Sequence, residues 1–118
     1  MTAPDQPALR FAFEIVAEIA PQIRIAGSPH EVVAFTPVTG GTADGPRLHA
    51  SIRSGGGDWS TDREGVFELD ARYLVRTADG VTIGVRNRGI AHASPEVLKK
   101  VGRLFGPSRI VRSIYEVL

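Results

Sequence analysis

The chain has 118 residues, 42% of them apolar, and a formal net charge of +1. That length fits one domain able to bury its own core, and the lack of any cysteine excludes disulfide frameworks, thiol catalysis and cysteine-ligated zinc. Charge is spread too evenly for a nucleic-acid footprint: residues 1–59 carry four Lys or Arg against six Asp or Glu, and residues 60–118 carry ten against seven.

Residues 1–8, with two prolines, read as a loose tail before a single domain over 9–118. The opening MTAPDQPAL lacks the basic-then-apolar pattern of a signal peptide, and no apolar run reaches membrane-spanning length, so a cytoplasmic protein without a membrane partner is expected. Arg10 to Ile19 alternates as a strand, with Phe11, Phe13, Ile15, Ala17 and Ile19 on one face and Glu14 and Glu18 on the other. A short strand is expected around Ile23 and Ile25, and another over Glu31–Val38, with Pro37 suiting an edge or a bulge. Thr39 to Pro46 reads as a loop, Arg47–Arg53 as a strand, and Ser54-Gly55-Gly56-Gly57-Asp58 as a flexible turn leading to Trp59, the sole tryptophan.

From Val66 to Arg76 the pattern is sharper. Phe67, Leu69, Ala71, Tyr73 and Val75 form one face of a strand, and Glu68, Asp70, Arg72 and Arg76 lie on the other. Asp79-Gly80 then signals a hairpin into a return strand with Val81, Ile83 and Val85 on one face, ending in Arg86-Asn87-Arg88-Gly89. Ser94 as N-cap, Pro95 at the first helical position and the stripe Val97, Leu98, Val101, Leu104 and Phe105 predict one short helix near 95–105, stopped by Gly106-Pro107. A last strand runs from Arg109 to Leu118. Many short strands, Gly-rich turns and one helix indicate an all-β fold, most simply a small antiparallel β-barrel, either closed on itself, open or completed by a partner.

The order Pro37-Val38-Thr39-Gly40-Gly41, Gly55-Gly56-Gly57-Asp58-Trp59, Glu68-Leu69-Asp70-Ala71-Arg72-Tyr73, Arg76-Thr77-Ala78-Asp79-Gly80 and Asn87-Arg88-Gly89, closed by Ile114-Tyr115-Glu116-Val117, resembles the bacterial domain of unknown function 3237 family. The resemblance covers residues 8–92 and 108–118. It implies a small β-barrel, usually oligomeric, with no secure activity attached. Here Leu104-Phe105-Gly106 runs almost directly into Ser108-Arg109-Ile110, so the segment that family members carry before the last strand is shortened. A neighbouring subunit covering that gap makes a homodimer the expected state.

Candidate chemistry gathers around the glycine turn and the charged strand. Trp59 is either a wall of a ligand pocket or the aromatic anchor of the core, and Asp58 either an acid, base or hydrogen-bond acceptor or a cap on the turn. Facing a barrel interior, Arg72 would clamp an anion and Asp70 would act as a general base; facing water, the two would be an ordinary solvated pair. Because the resemblance covers both residues, the interior is the expectation. Tyr73, Arg76, Arg88 and His49 complete the ligand-binding candidates. Arg86 and Arg88 share a face and suit a rim, or an ion pair with a cross-strand acid such as Glu68 or Asp70.

Other chemistries find little support. His30, His49 and His92 sit in separate segments without ligand spacing, so no metal site is expected. Ser54 and Ser60 lack a nucleophile elbow, and Gly55-Gly56-Gly57 opens a strand rather than a helix, so it is no phosphate loop. RNA binding is disfavoured because Phe67 and Tyr73 fall on the face away from the arginines. The expectation is a cofactor-independent acid–base site for a small organic metabolite, of isomerase, cyclase or lyase type. The alternative is a non-catalytic ligand-binding or oligomeric assembly module.

Overall fold

Alternating apolar residues build a curved antiparallel sheet whose concave face holds the core. The computed structural model describes residues 8–92, 94, 96 and 108–118. Its strands are β1 (Leu9–Ile19), β2 (Ile23–Gly27), β3 (Val32–Asp44), β4 (His49–Ile52), β5 (Gly56–Arg63), β6 (Val66–Thr77), β7 (Thr82–His92) and β8 (Arg109–Val117). The helix expected near 95–105 lies outside the described residues, apart from Glu96.

β4 and β5 act as two halves of one broken strand between β3 and β6, because each pairs with both. β1 and β2 share the other edge of β3 in the same manner. β7 flanks β6 along its whole length, and β8 flanks β1. The result is an all-β, barrel-like sheet, and among the described residues no pairing joins β7 to β8. Among the described residues the edges of those two strands facing each other are unpaired.

On β6 the oily face points inward. Tyr73 and Val75 are buried beside Ile15, Ala17, Val38, Ala43 and Ile52, with Phe13, Ala71, Val85 and Ile114 packed against them. Full burial of one such aliphatic side chain contributes about 1.5–3 kcal/mol, and Glu68, Arg72 and Arg76 remain exposed on the other face. The expectation that Asp70 and Arg72 face the interior is therefore corrected: both lie on the convex face.

Three local expectations also change. Thr39 to Asp44 is not a loop, since β3 continues through it and pairs with β1. Gly41 allows this. Its φ is 129°, and a Cβ there would sit 2.0 Å from the Val16 carbonyl oxygen, so only glycine lets the two backbones approach. Gly56 and Gly57 belong to β5 rather than to a flexible turn, because the Phe35 ring covers Gly57 where a side chain would otherwise stand. In β1 a register shift between Phe11 and Phe13 turns Phe11 out of the core face, where it meets the Tyr115 ring edge-on with centroids 5.8 Å apart.

Val75, fully buried at 0% exposure, tests the inward face. Val75→Ala lowers unfolding free energy by about 2 kcal/mol in urea denaturation, while Val81→Ala in the exposed turn changes it by less than about 0.5 kcal/mol. Equal effects would contradict this orientation of β6.

Candidate functional site

Register decides which side chains meet. Asp58 of β5 and Asn87 of β7 both lie opposite Ala71 of β6, so the three form one row across the concave face. Ala71 is the smallest chiral side chain, and it leaves a slot between the carboxylate and the amide. Arg112 reaches the same place from β8, and Tyr73 lies next along β6 on the same face. Two small adjoining cavities, of about 30 and 40 Å³, share Asp58, Ala71, Asn87 and Arg112 in their linings. Each has room for a water or a single carbonyl-sized group. Ile15, Ile19, Val38 and Ile110 line the apolar side.

The electrostatics are unbalanced. Asp58 accepts a hydrogen bond from the Asp70 backbone N–H at 3.2 Å and forms no ion pair among the described residues. Burial pushes its carboxyl above the usual value, although that hydrogen bond and the nearby Arg112 guanidinium pull it back. Burial likewise raises the Tyr73 phenol, again opposed by Arg112, so Tyr73 stays protonated and able to donate. Among the described residues neither Tyr73 nor Asn87 has a side-chain hydrogen-bond partner, and both line the slot. The slot offers one elevated carboxyl, one phenol donor, one amide and one guanidinium to whatever enters it.

The other expected residues lie outside this slot. Trp59 is 52% exposed and packs at a tilt against Phe35 on the convex face, with ring centroids 4.7 Å apart, so it is neither a core anchor nor a wall of the interior. It shares a convex groove of about 580 Å³ with Asp70 and Arg88. The Arg86 guanidinium grips Asp70 with two hydrogen bonds of 3.0 and 2.9 Å, which hold the Asp70 carboxyl below its ordinary value. A carboxylate so held is a weak base, which removes the physical case for Asp70 as proton acceptor. The cross-strand ion pair expected of Arg86 is thus present. Arg72 lines a second convex groove, Arg76 is exposed near the β6–β7 turn, and exposed His49 contacts Asp44 at the start of β4.

Of the expected residues, only Asp58 and Tyr73 enter the slot. Asn87 and Arg112 were not singled out for it, though a signal existed: each is the polar member of an otherwise apolar face, Ile83-Val85-Asn87 and Ile110-Arg112-Ile114. Among the described residues no group of three His, Asp or Glu side chains is placed to hold a metal ion, and no helix is long and apolar enough to cross a membrane.

Fold and slot together define an all-β, barrel-like protein with a polar recess beside β7 and β8. The chain belongs to the family described as protein of unknown function (DUF3237), whose model matches residues 7–116. An uncharacterised UPF0311 protein of Bradyrhizobium diazoefficiens is 28% identical over 95 residues, covering 80% of this chain and 62% of the relative. The chain thus spans less than two thirds of that relative's length. The crystal structure of a protein of unknown function from Rhodopseudomonas palustris is 25% identical, with a TM-score of 0.75 over 96% of this chain and 78% of that one. A β-barrel-like protein from Acinetobacter baumannii AYE is 27% identical at TM-score 0.65, over 97% and 79% of the two chains. An enzyme from Penicillium herquei is 27% identical at TM-score 0.69, over 81% and 78%.

The raised Asp58 carboxyl has a signed consequence for stability. The folded state holds the proton more tightly than the unfolded chain, so Asp58 favours folding below its unfolded value of about 3.9 and loses that contribution as pH rises through its folded value. Asp58→Asn, which keeps an acceptor for the Asp70 N–H, is expected to raise the urea midpoint at pH 7. Its advantage should shrink towards pH 3. A pH-independent effect would show that the Asp58 carboxyl is not perturbed.

Proposed function

We propose that this protein binds a small organic metabolite at the seam between β7 and β8 and carries out a cofactor-independent acid–base step on it, of isomerase, cyclase or lyase type. One observation carries the reading: Asp58, Tyr73, Asn87 and Arg112 converge on a slot in an otherwise apolar interior, with no hydrogen bond between side chains and no ion pair among the described residues. A wholly structural polar cluster satisfies itself, since buried charge left unpaired is costly. This one stands open. The solved neighbour that is an enzyme supports chemistry on this fold.

The roles follow from the environment of each group. Asp58, half withdrawn from water, moves the proton, because a carboxyl raised towards neutrality transfers protons more effectively in either direction. Arg112 stabilises negative charge that develops on a substrate oxygen, and Tyr73 donates a hydrogen bond to the same region. Asn87, across Ala71 from Asp58, fixes the orientation of the reacting group. The slot admits only that group, so the body of the substrate lies along the open seam. No cofactor is required for proton transfer of this kind.

A second reading has its own observation. β7 and β8 each keep one unpaired edge among the described residues, and free edges invite pairing with another chain. On this reading the protein is an assembly module, and a homodimer closes the seam. Light scattering coupled to gel filtration checks it: a monomer across the micromolar range would remove the assembly reading.

The test of chemistry begins with a ligand-observed NMR screen of phenols and organic acids, followed by turnover assays on those that bind. Asp58→Asn is expected to lower kcat by at least about 100-fold with the fold intact. Ala71→Leu, which fills the slot without touching a charge, is expected to abolish binding. With Asp58 as base, kcat/KM rises with pH through the raised carboxyl value, and Asp58→Asn removes that limb. A binder turned over at the same rate by wild type and Asp58→Asn would overturn the assignment.

A further inference from the structure

The convex face of β6 and β7 carries a second constellation, separated from the slot by the thickness of the sheet. Arg72 and Arg86 stand directly opposite each other in register, a like-charge cross-strand pair that is unfavourable unless an anion screens it. Among the described residues Asp70 is the carboxylate that serves the cluster. Asp70 bonds Arg86 through both its oxygens and reaches Arg72 and Arg88 only by charge attraction through space, and Arg72 forms no hydrogen bond or ion pair among the described residues. Arg88, opposite Asp70, adds further positive charge.

Beside this pair the surface opens into a groove of about 670 Å³, lined by Ser54, Gly55, Arg72, Leu74, Gly84 and Arg86. The break between β4 and β5 forms one wall. Gly55 there has φ 109°, and a Cβ added to it would meet nothing within 4 Å, so the wall is thin and the space beyond it empty. Gly84 lies across from Leu74, whose side chain spreads over the missing Cβ and offers an apolar floor that is 49% exposed. A guanidinium pair at one end and a leucine over glycine at the other suit a ligand that is charged at one end and oily at the other.

We propose that this groove is a binding site for an amphipathic organic anion, whose carboxylate sits between Arg72 and Arg86 and whose apolar body lies on Leu74 over Gly84. Arg86 is held in place by Asp70, so its donors are preorganised, and Arg72 supplies the free fork. The ligand relieves the repulsion between the two guanidiniums, which gives the site selectivity for charge. The apolar floor favours an anion with an oily body over a small inorganic one, which gains no contact from it.

The probe is 1-naphthoate, titrated into the 15N-labelled full chain and followed by amide shifts, with neutral 1-naphthamide as its isostere. Saturable shifts at Ser54, Gly55 and Gly84 are expected, with the amide at least about tenfold weaker. Arg72→Gln, a substitution at an exposed position, should weaken naphthoate by at least about tenfold, whereas Asp58→Asn should leave these shifts unchanged. Naphthoate shifts confined to residues around Asp58 and Asn87, equal affinity for acid and amide, or full binding by Arg72→Gln would each overturn the proposal.

Discussion

The orientation of β6 sets almost everything else. Its odd side chains are apolar and its even ones largely charged, so the strand can bury only one face. Turning the charged face inward would cost several kcal/mol for each ion removed from water, and Tyr73 and Val75 would lose their burial as well. β6 is paired along its whole length, with β7 on one edge and β5 and β4 on the other. Its choice of face therefore propagates outward row by row. Because Ala71 points in, Asp58 and Asn87 point in; because Asp70 points out, Trp59 and Arg88 point out. A one-residue slip would exchange the two sets, and the hairpin turn at Asp79-Gly80, where Gly80 has φ 92°, opposes it.

The two carboxylates on either side of this sheet show how far environment alone separates identical groups. Asp58 faces a partly dry slot with a guanidinium nearby but not bonded, and its carboxyl is raised. Asp70 faces solvent and is gripped by Arg86, and its carboxyl is lowered. The backbone N–H of Asp70 donates to Asp58, so the same residue supports the inner carboxylate through its main chain while its side chain orders the outer arginines. Carboxyl groups pushed apart in this way differ in chemistry: the raised one holds its proton more readily, and the lowered one keeps its charge.

Much of the fold was legible in the sequence because it rests on alternation. β1, β6, β7 and β8 are visible as period-2 patterns, and Asp79-Gly80 announces its hairpin. The extension of β3 through Thr39–Asp44 was hidden, since two glycines read as a loop until a neighbouring backbone is known to need the space above Gly41. The site was legible only in part. Tyr73 and Asp58 were singled out, but the weight placed on Asp70 and Arg72 came from a resemblance covering both residues, not from the cost of burying them. Asn87 and Arg112 were visible as lone polar residues on apolar faces. What the pattern could not supply was that strands far apart in sequence bring them to one row beside Ala71.

An open seam is a poor way to build a stable barrel and a reasonable way to build a recess. Closing β7 onto β8 would satisfy both edges, yet it would also seal Asp58 and Arg112 in a cavity too small for anything beyond a solvent molecule. With no β7–β8 pairing among the described residues, Asp58 is partly desolvated by the strands around it. Partial desolvation of this kind raises a carboxyl without neutralising the arginine beside it. The slot and the exposed edges are in that sense one feature, so anything covering those edges would act directly on the groups that face them.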